Sequence, residues 1–292
     1  MIEKKSYQIF YHIVLIIMVI IMVGPLLLLF ISSITDESAL IANGYSFIPT
    51  KLSAKAYEYM IANSSTILHA YGITIFVTFI GTILSILITA MMSFAISIEN
   101  LPGRKVISFF VIFTMLFNGG LVPSYILWTS LDIRNTLWAY VFPFLLTNAF
   151  SIILMRSYFA ANIPVDIYES AKMDGAGFTR IFFKMVIPLG MPILVTLGLF
   201  AGLGYWNDWQ NGLYFISDSN MLSIQVLLNK MSQNIQAVIS NAGLVNQTAA
   251  MTLPQESIRM AIAFVAILPI LVVYPFLQKY FASGIMGGAV KG

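Results

Sequence analysis

Side chains capable of chemistry are rare in this sequence, and the most distinctive of them lie in one polar segment between two long apolar runs. There are no cysteines and only two histidines, His12 and His69, which excludes thiol catalysis and thiolate metal sites. The carboxylates Asp166 and Glu169 lie close together, but near a predicted helix start, where acidic groups suit the helix dipole. We interpret them as a solvated helix face and predict neither a catalytic pair nor a metal site.

The sequence also lacks the usual means of using ATP or an ion gradient. It has no Gly-x4-Gly-Lys-Ser/Thr loop, whose backbone would cradle phosphates. A carrier driven by protons or sodium usually needs ionisable groups at mid-membrane, but the apolar runs are nearly free of charge and Asp208 lies at an outer end. We therefore expect no cofactor on this chain.

Composition points to a protein dissolved in lipid. Of 292 residues, 59% are apolar and 9% are charged, whereas an ordinary soluble domain is about a quarter charged. Runs of about 20 apolar residues can cross a bilayer as helices. The predicted fold class is therefore all-α: a polytopic membrane protein with six transmembrane helices, near Ile9–Ile31, Tyr71–Ile98, Val106–Trp128, Leu137–Tyr158, Val186–Trp206 and Ile258–Tyr280.

The distribution of lysine and arginine predicts the orientation of these helices. Cytoplasmic loops carry an excess of both residues. If the chain starts in the cytoplasm, six spans leave four segments there: the N-terminus, residues 99–105, residues 159–185 and the C-terminal tail. These segments hold more lysine and arginine than those on the opposite side. We expect a plasma-membrane protein with both termini in the cytoplasm and no nucleic-acid partner.

Residues 159–185 are predicted to form a short amphipathic helix, a glycine turn and a second helix that leads into the next span. The helix has Asn162 as its N-cap, Pro164 near its first turn and an apolar face, and glycine ends it because glycine enters the left-handed conformation cheaply. By itself this pattern also fits a helix lying on lipid headgroups. The apolar face consists of Ile163, Ile167, Tyr168 and Ala171. The turn contains Gly175 and Gly177, and the second helix runs from Phe178 towards Pro188.

The segment from Glu169 to Gly175, together with Ile187-Pro188-Leu189, resembles the cytoplasmic signature loop of permease subunits in ATP-binding-cassette (ABC) importers. That pattern runs Glu-Ala-Ala, three residues, Gly, nine residues, Ile, one residue, Leu-Pro. Ser170, Met185 and Ile187 depart from it by small changes. The resemblance implies the type I importer permease fold and a helix at 164–173 that docks in a groove on an ATPase. The coupling residues it implies are Glu169, Ser170, Ala171, Asp174, Gly175 and Pro188.

Two further stretches, residues 117–125 and the tail from Tyr274 to Gly292, are similar to permeases for polysaccharides or aldouronates. This resemblance implies half of a translocation path for an oligosaccharide, on a chain that is not an enzyme. The implied partners are a second homologous permease, two ATP-binding subunits that would hold ATP and magnesium, and an extracytoplasmic solute-binding protein. A single permease domain is expected over residues 1–292, with a peripheral first helix over 1–31 and a five-helix core over about 71–280.

Candidate path residues are polar or amphipathic and lie near outer or mid-span positions, because sugars are bound by aromatic faces and amide hydrogen bonds. Each could equally be an interfacial anchor or an interhelical hydrogen bond. Three other functions remain open: a permease for a non-sugar solute, an ion-coupled carrier, and a membrane scaffold or enzyme without transport. The candidate path residues are Asn118, Tyr125, Asn148, Tyr205 and Asn207.

Overall fold

The structure, a computed structural model, describes residues 5–241 and 255–289. Within these ranges the chain is helical, without a strand and with one isolated antiparallel bridge between Thr35 and Leu52. The expected all-α class is confirmed. Residues 1–4, 242–254 and 290–292 lie outside the described residues.

The helices are named in chain order, with a π-helical turn at Phe182–Val186 and a 3-10 turn at Ser219–Met221. They are α1 (Lys5–Ser33), α2 (Glu37–Asn43), α3 (Lys55–Ala62), α4 (Ser64–Ser97), α5 (Arg104–Leu116), α6 (Leu121–Ser130), α7 (Trp138–Val141), α8 (Ala149–Asn162), α9 (Val165–Met173), α10 (Phe178–Ile181), α11 (Ile187–Leu189), α12 (Met191–Trp206), α13 (Gln210–Phe215), α14 (Ile224–Asn241) and α15 (Gln255–Ala289).

Only some predicted spans are single long helices. Among the described residues, Tyr7–Ser33, Ser64–Ser97 and Glu256–Val273 are long and apolar enough to cross a membrane. A fourth span results if Phe178–Leu189 and Met191–Trp206, which meet at an angle of 82°, are counted together. The count of six transmembrane helices therefore stays a prediction.

The third predicted span, Val106–Trp128, is not a continuous helix. The structure divides it into α5 and α6, with a break after Leu116. The side-chain Oδ1 of Asn118 accepts a hydrogen bond from the Gly120 N–H at 2.8 Å, and Gly120 has φ +88°. This local turn competes with the helix for backbone hydrogen bonds and uses a conformation open to glycine.

The fourth predicted span, Leu137–Tyr158, is also broken. Only the single turn of α7 precedes a break over residues 142–148, and α8 then begins. Pro143 has no N–H to continue a helix, and Phe144 has φ +61°. Asn148 starts α8 as its N-cap, with Oδ1 accepting from the Ser151 N–H at 3.0 Å. The apolar run predicted membrane burial but not these breaks.

The chain divides into two compact units, which are described separately. The first comprises residues 1–68 and 227–272. In it, the Glu37 carboxylate accepts hydrogen bonds from the backbone N–H groups of Glu256 and Ser257 at 2.9 and 3.0 Å. A carboxylate at this position stabilises the N-terminus of α15. The rings of Phe30 and Phe264 lie 4.8 Å apart and join α1 to α15.

The second unit comprises residues 69–226 and 273–292. In it, α4 and α12 approach closely where Gly81 faces Tyr205. A Cβ added at Gly81 would lie 2.6 Å from the Tyr205 ring. That ring is 2% exposed, and its hydroxyl donates to the Val141 carbonyl at 3.0 Å. Tyr205 is therefore held on two sides and cannot move aside freely.

We expect Gly81→Ala to lower the thermal midpoint of the detergent-solubilised chain, because an overpacked core typically loses about 1–3 kcal/mol. Gly72→Ala is the matched control on the same helix, since a Cβ there would meet nothing within 4 Å. It should be neutral or slightly stabilising. Equal midpoints for the two variants would contradict the close packing of α4 against Tyr205.

Candidate functional site

Helix α9 lies where the sequence predicts a helix, but it begins differently. Asn162 is not its N-cap, so that prediction is wrong: Asn162 is the last residue of α8 and its Nδ2 donates to the Tyr158 carbonyl at 3.0 Å. Pro164 stands at the N-cap of α9 without a side-chain cap. Because α8 continues through Asn162, only Ile163 and Pro164 connect the two helices.

The end of α9 is closed by two backbone hydrogen bonds around Gly175. The Gly175 N–H donates to the Lys172 carbonyl at 3.0 Å, and the Ala176 N–H donates to the Ala171 carbonyl at 2.9 Å. Gly175 has φ +78°, so these bonds form the Schellman motif, which favours glycine. Gly177 has φ −72° and does not supply the left-handed residue. The expected turn is therefore made by Gly175 alone.

One side of α9 packs against the rest of its unit. Ala171 is 3% exposed, and the Tyr168 ring lies 5.8 Å from the ring of Phe94 near the end of α4. Phe94 also contacts Phe182 in the π-helical turn, at 5.7 Å. Such ring pairs add about 1 kcal/mol each beyond their buried area. The buried core around them contains Ala90, Met155, Phe159, Ile163, Ile181, Val186, Ile193, Leu194 and Leu197.

The opposite side of α9 is open to solvent. Glu169, Ser170 and Asp174 are exposed, and Glu169 makes no hydrogen bond or ion pair with any described residue. The Ser170 hydroxyl donates to the Asp166 carbonyl at 2.7 Å. Met173 is 89% exposed, an unusual position for a large apolar side chain. We call Glu169, Ser170, Met173 and Asp174 the exposed face of α9.

Beyond α9, a bent connection leads to α12. It consists of α10, the π-helical turn and α11, in which Pro188 is exposed. The bend follows at Gly190, where an added Cβ would lie 2.6 Å from the Phe159 ring and 2.9 Å from the Val186 carbonyl. π-helical turns are rare in proteins as a whole, and those that occur often lie at functional sites. The bend therefore lies at Gly190, two residues after Pro188, where the sequence predicted the junction.

The candidate path residues lie in separate local settings. Asn118 and Asn148 accept backbone hydrogen bonds in a turn and a helix cap, and Asn207 donates to the Leu203 carbonyl at 2.9 Å. Tyr125 is half-buried and stacks on Phe215 at 5.6 Å, while Tyr205 is buried. In the described part of the chain no hydrogen bond or ring contact joins any two of these five residues, and their path role stays a prediction.

Sequence reasoning missed a buried polar cluster just beyond the end of α12. Asn211 is 1% exposed, its N–H donates to Asp208 Oδ1 at 3.1 Å and its Nδ2 donates to the Pro143 carbonyl at 3.0 Å. Asp208 Oδ2 and Asn211 Oδ1 are buried without a hydrogen-bond partner in the described structure. Burial raises the pKa of Asp208 from 3.8 to about 6. The spacing Asp-x-x-Asn suits a local helix cap, and it was the one sequence signal that could have revealed this cluster.

No metal centre is evident in the ranges that the structure covers: they hold no group of three or more His, Asp or Glu side chains able to bind an ion. The site instead consists of a helix that is packed on one side, exposed on the other and joined to bent helices. Such an arrangement can bind a partner surface and transmit its displacement.

Comparison with known proteins defines the class. Residues 94–287 match the family described as "Binding-protein-dependent transport system inner membrane component". Because this match covers more than half of the chain, the chain belongs to that family. It is a membrane-embedded permease subunit of an ABC importer.

Individual relatives cover nearly the whole chain. The polygalacturonan/rhamnogalacturonan transport system permease protein YtcP of Bacillus subtilis is 36% identical over 95% of this chain and 96% of its own length. Protein LplC of the same species is 33% identical over 92% and 89%. A crystal structure of a bacterial ABC transporter involved in the import of the acidic polysaccharide alginate contains a chain with a TM-score of 0.79 and 29% identity, matched over 95% of this chain and 97% of that chain.

We expect Tyr168→Ala to weaken the attachment of α9 to α4, because it removes the ring that contacts Phe94. Losing this contact and its buried area should reduce substrate uptake by the assembled importer about tenfold, equivalent to ~1.4 kcal/mol. Tyr168→Phe is the matched control, since the Tyr168 hydroxyl is buried without a hydrogen-bond partner among the described residues. If both variants transport normally, the ring contact does not transmit motion.

We expect the stability of the chain to fall as pH rises through about 6, because the folded state favours protonated Asp208. The contribution is fully present below pH 3.8 and is lost above the folded pKa. At pH 8 the ionised side chain would cost at most about 3 kcal/mol. Thermal midpoints from pH 5 to 8 should therefore decline less for Asp208→Asn, which keeps the acceptor for the Asn211 N–H.

Asp218→Asn is the control for this measurement, since Asp218 is an exposed carboxylate in the same unit. It should keep the pH dependence of the unmodified chain. An Asp208→Asn variant with an unchanged slope would show that Asp208 does not titrate in this interval.

Proposed function

We propose that this chain forms half of the translocation path of a carbohydrate importer and is driven through α9 by a separate ATPase. The observation that carries the proposal is the exposed face of α9, with Met173 89% exposed. The other side of the same helix packs against Phe94 of α4 and, through it, Phe182. An ATPase bound to that face would move α9, α4 and the bent connection to α12 together.

The orientation follows from this role. The ATPase face must lie in the cytoplasm, which agrees with the lysine- and arginine-rich segments 99–105 and 159–185. ATP and magnesium would bind on two ATPase subunits, and this chain would carry no catalytic group. ATP binding can shift the transporter between inward-open and outward-open states only by differential affinity for them. Concentrating a solute tenfold requires about 1.4 kcal/mol.

The helix breaks support a path near the proposed residues. Backbone outside helices is tolerated at membrane depth only where protein or water satisfies its hydrogen bonds. The break between α5 and α6 contains Asn118, and the break over residues 142–148 ends at Asn148. We propose that their amides, with Tyr125 and Asn207, contact the substrate, and that Tyr205 shapes the path by packing.

The substrate class rests on the relatives. Those with 36% and 29% identity are named for polygalacturonan or rhamnogalacturonan and for alginate, while an arabinooligosaccharide permease of Halalkalibacterium halodurans is 24% identical. Polygalacturonan, like alginate, is rich in uronate carboxylates. We propose an oligosaccharide that contains acidic sugars, delivered by a solute-binding protein to this chain and a second, related permease.

A permease for a non-sugar solute is the second candidate. It is motivated by one relative named for osmoprotective compounds, a class that includes zwitterions as well as sugars: the osmoprotective compounds uptake permease protein GgtD of Synechocystis, which is 25% identical over 96% of this chain. Uptake assays should therefore compare labelled oligogalacturonides, neutral arabino-oligosaccharides and a zwitterionic osmolyte in cells with and without the gene. Gene-dependent uptake of the osmolyte alone would reject the carbohydrate proposal.

We expect Glu169→Lys and Gly175→Pro to abolish most uptake while the chain still inserts in the membrane. The first reverses a charge on the exposed face of α9, and the second removes the N–H that bonds to Lys172 and cannot adopt φ +78°. ATPase pull-down and uptake would be measured together.

Glu58→Lys is the matched control, because it reverses an exposed charge on α3. Its uptake should equal that of the unmodified chain. Normal uptake in both α9 variants would reject the coupling role, whichever solute the importer carries.

A further inference from the structure

The second unit contains an open, basic cavity beside α5 that the transport proposal does not use. Its volume is about 840 Å³, and its walls include the cations Arg104, Lys105 and Arg156 and a single carboxylate, Glu99. In the described part of the chain, none of these three cations forms an ion pair. With three cations against one carboxylate in its wall, the cavity therefore carries an excess of positive charge.

The Arg104 side chain is held in place at the cavity. Its Nε donates to the Ile96 carbonyl at 2.9 Å, at the end of α4. Arg156 is half-buried on α8, which faces α5 across the cavity. Two guanidinium groups from different helices can bind the oxygens of one phosphate, because guanidinium geometry matches phosphate.

An apolar stripe continues from this cavity along α5. Phe109 lines the cavity and is 61% exposed. It stacks on Phe113 at 6.0 Å, and Phe113 stacks on Phe117 at 5.3 Å. Residues four apart share a helix face, so the three rings form one strip that leads away from the basic end. A soluble anion has no apolar part to contact this strip, whereas the acyl chain of a lipid would cover it.

We propose that this cavity binds an anionic glycerophospholipid, with its phosphodiester on Arg104, Lys105 and Arg156 and an acyl chain along Phe109, Phe113 and Phe117. Basic pockets between membrane helices bind anionic headgroups, and Lys105 on the exposed surface adds to their attraction. The site lies at the end of α4 that also contacts α9, through Phe94. The proposal depends on membrane insertion and not on the transported solute.

The test uses the assembled importer, delipidated in neutral detergent and titrated with palmitoyl-oleoyl phosphatidylglycerol, with bound lipid counted by native mass spectrometry. Phosphatidylcholine with the same chains is the headgroup control. We expect Lys105→Gln/Arg156→Gln to weaken phosphatidylglycerol binding roughly twentyfold and to leave phosphatidylcholine binding unchanged. Arg104 is kept because it bonds to α4.

The matched control is Arg180→Gln/Lys184→Gln, which removes one arginine and one lysine from exposed positions in the same unit. It should change phosphatidylglycerol binding less than twofold. An equal loss in this control would show diffuse charge attraction and overturn the site.

Phe109→Gln separates a lipid from a free phosphate. We expect this variant to bind phosphatidylglycerol more weakly than the unmodified chain does. In the unmodified chain, glycerol 3-phosphate at millimolar concentration should not displace the lipid. Displacement of the lipid by glycerol 3-phosphate at its own binding concentration would reject the lipid proposal. Loss of ATPase subunits from the double variant, with lipid binding intact, would identify the cavity as a protein interface and reject it too.

Discussion

The contact of Tyr168 with Phe94 is the interaction on which the candidate site depends. Without it, α9 would pack against its unit mainly through the small side chain of Ala171. The ring pair at 5.8 Å, and the second pair from Phe94 to Phe182 at 5.7 Å, attach α9 to α4 and to the π-helical turn. Since Phe94 belongs to both pairs, a displacement of α9 reaches two helical segments at once.

The closure at Gly175 complements this attachment. Its Schellman hydrogen bonds end α9, and Phe178 begins the next helix three residues later. The buried Ala171 and the exposed Met173 are only two residues apart. A small residue inward and a flexible one outward give one helix a packed side and an exposed side. Methionine suits the latter because it adapts to different surfaces.

Periodicity and spacing predicted the features that depend on local sequence: the all-α class, the position of α9 and the glycine turn at Gly175. They failed where tertiary context decides. The runs around Asn118 and Pro143 are apolar enough to cross a membrane, so hydropathy alone could not reveal the left-handed residues Gly120 and Phe144. Nor could it show that Asn162 would extend α8, or that Asp208 and Asn211 would bury two oxygens that lack a hydrogen-bond partner among the described residues.

The length of α4 has a mechanical consequence. Its 34 residues measure about 51 Å at the usual rise per residue, whereas the hydrocarbon core of a bilayer is about 30 Å thick. If α4 stood perpendicular to the membrane, roughly 20 Å of it would extend beyond the lipid tails, and Phe94 lies on its last turn. Tilting such a rod by about 10° about one end displaces the other by about 9 Å, so the protein can convert a small rotation within the membrane into a stroke as large as a helix is wide.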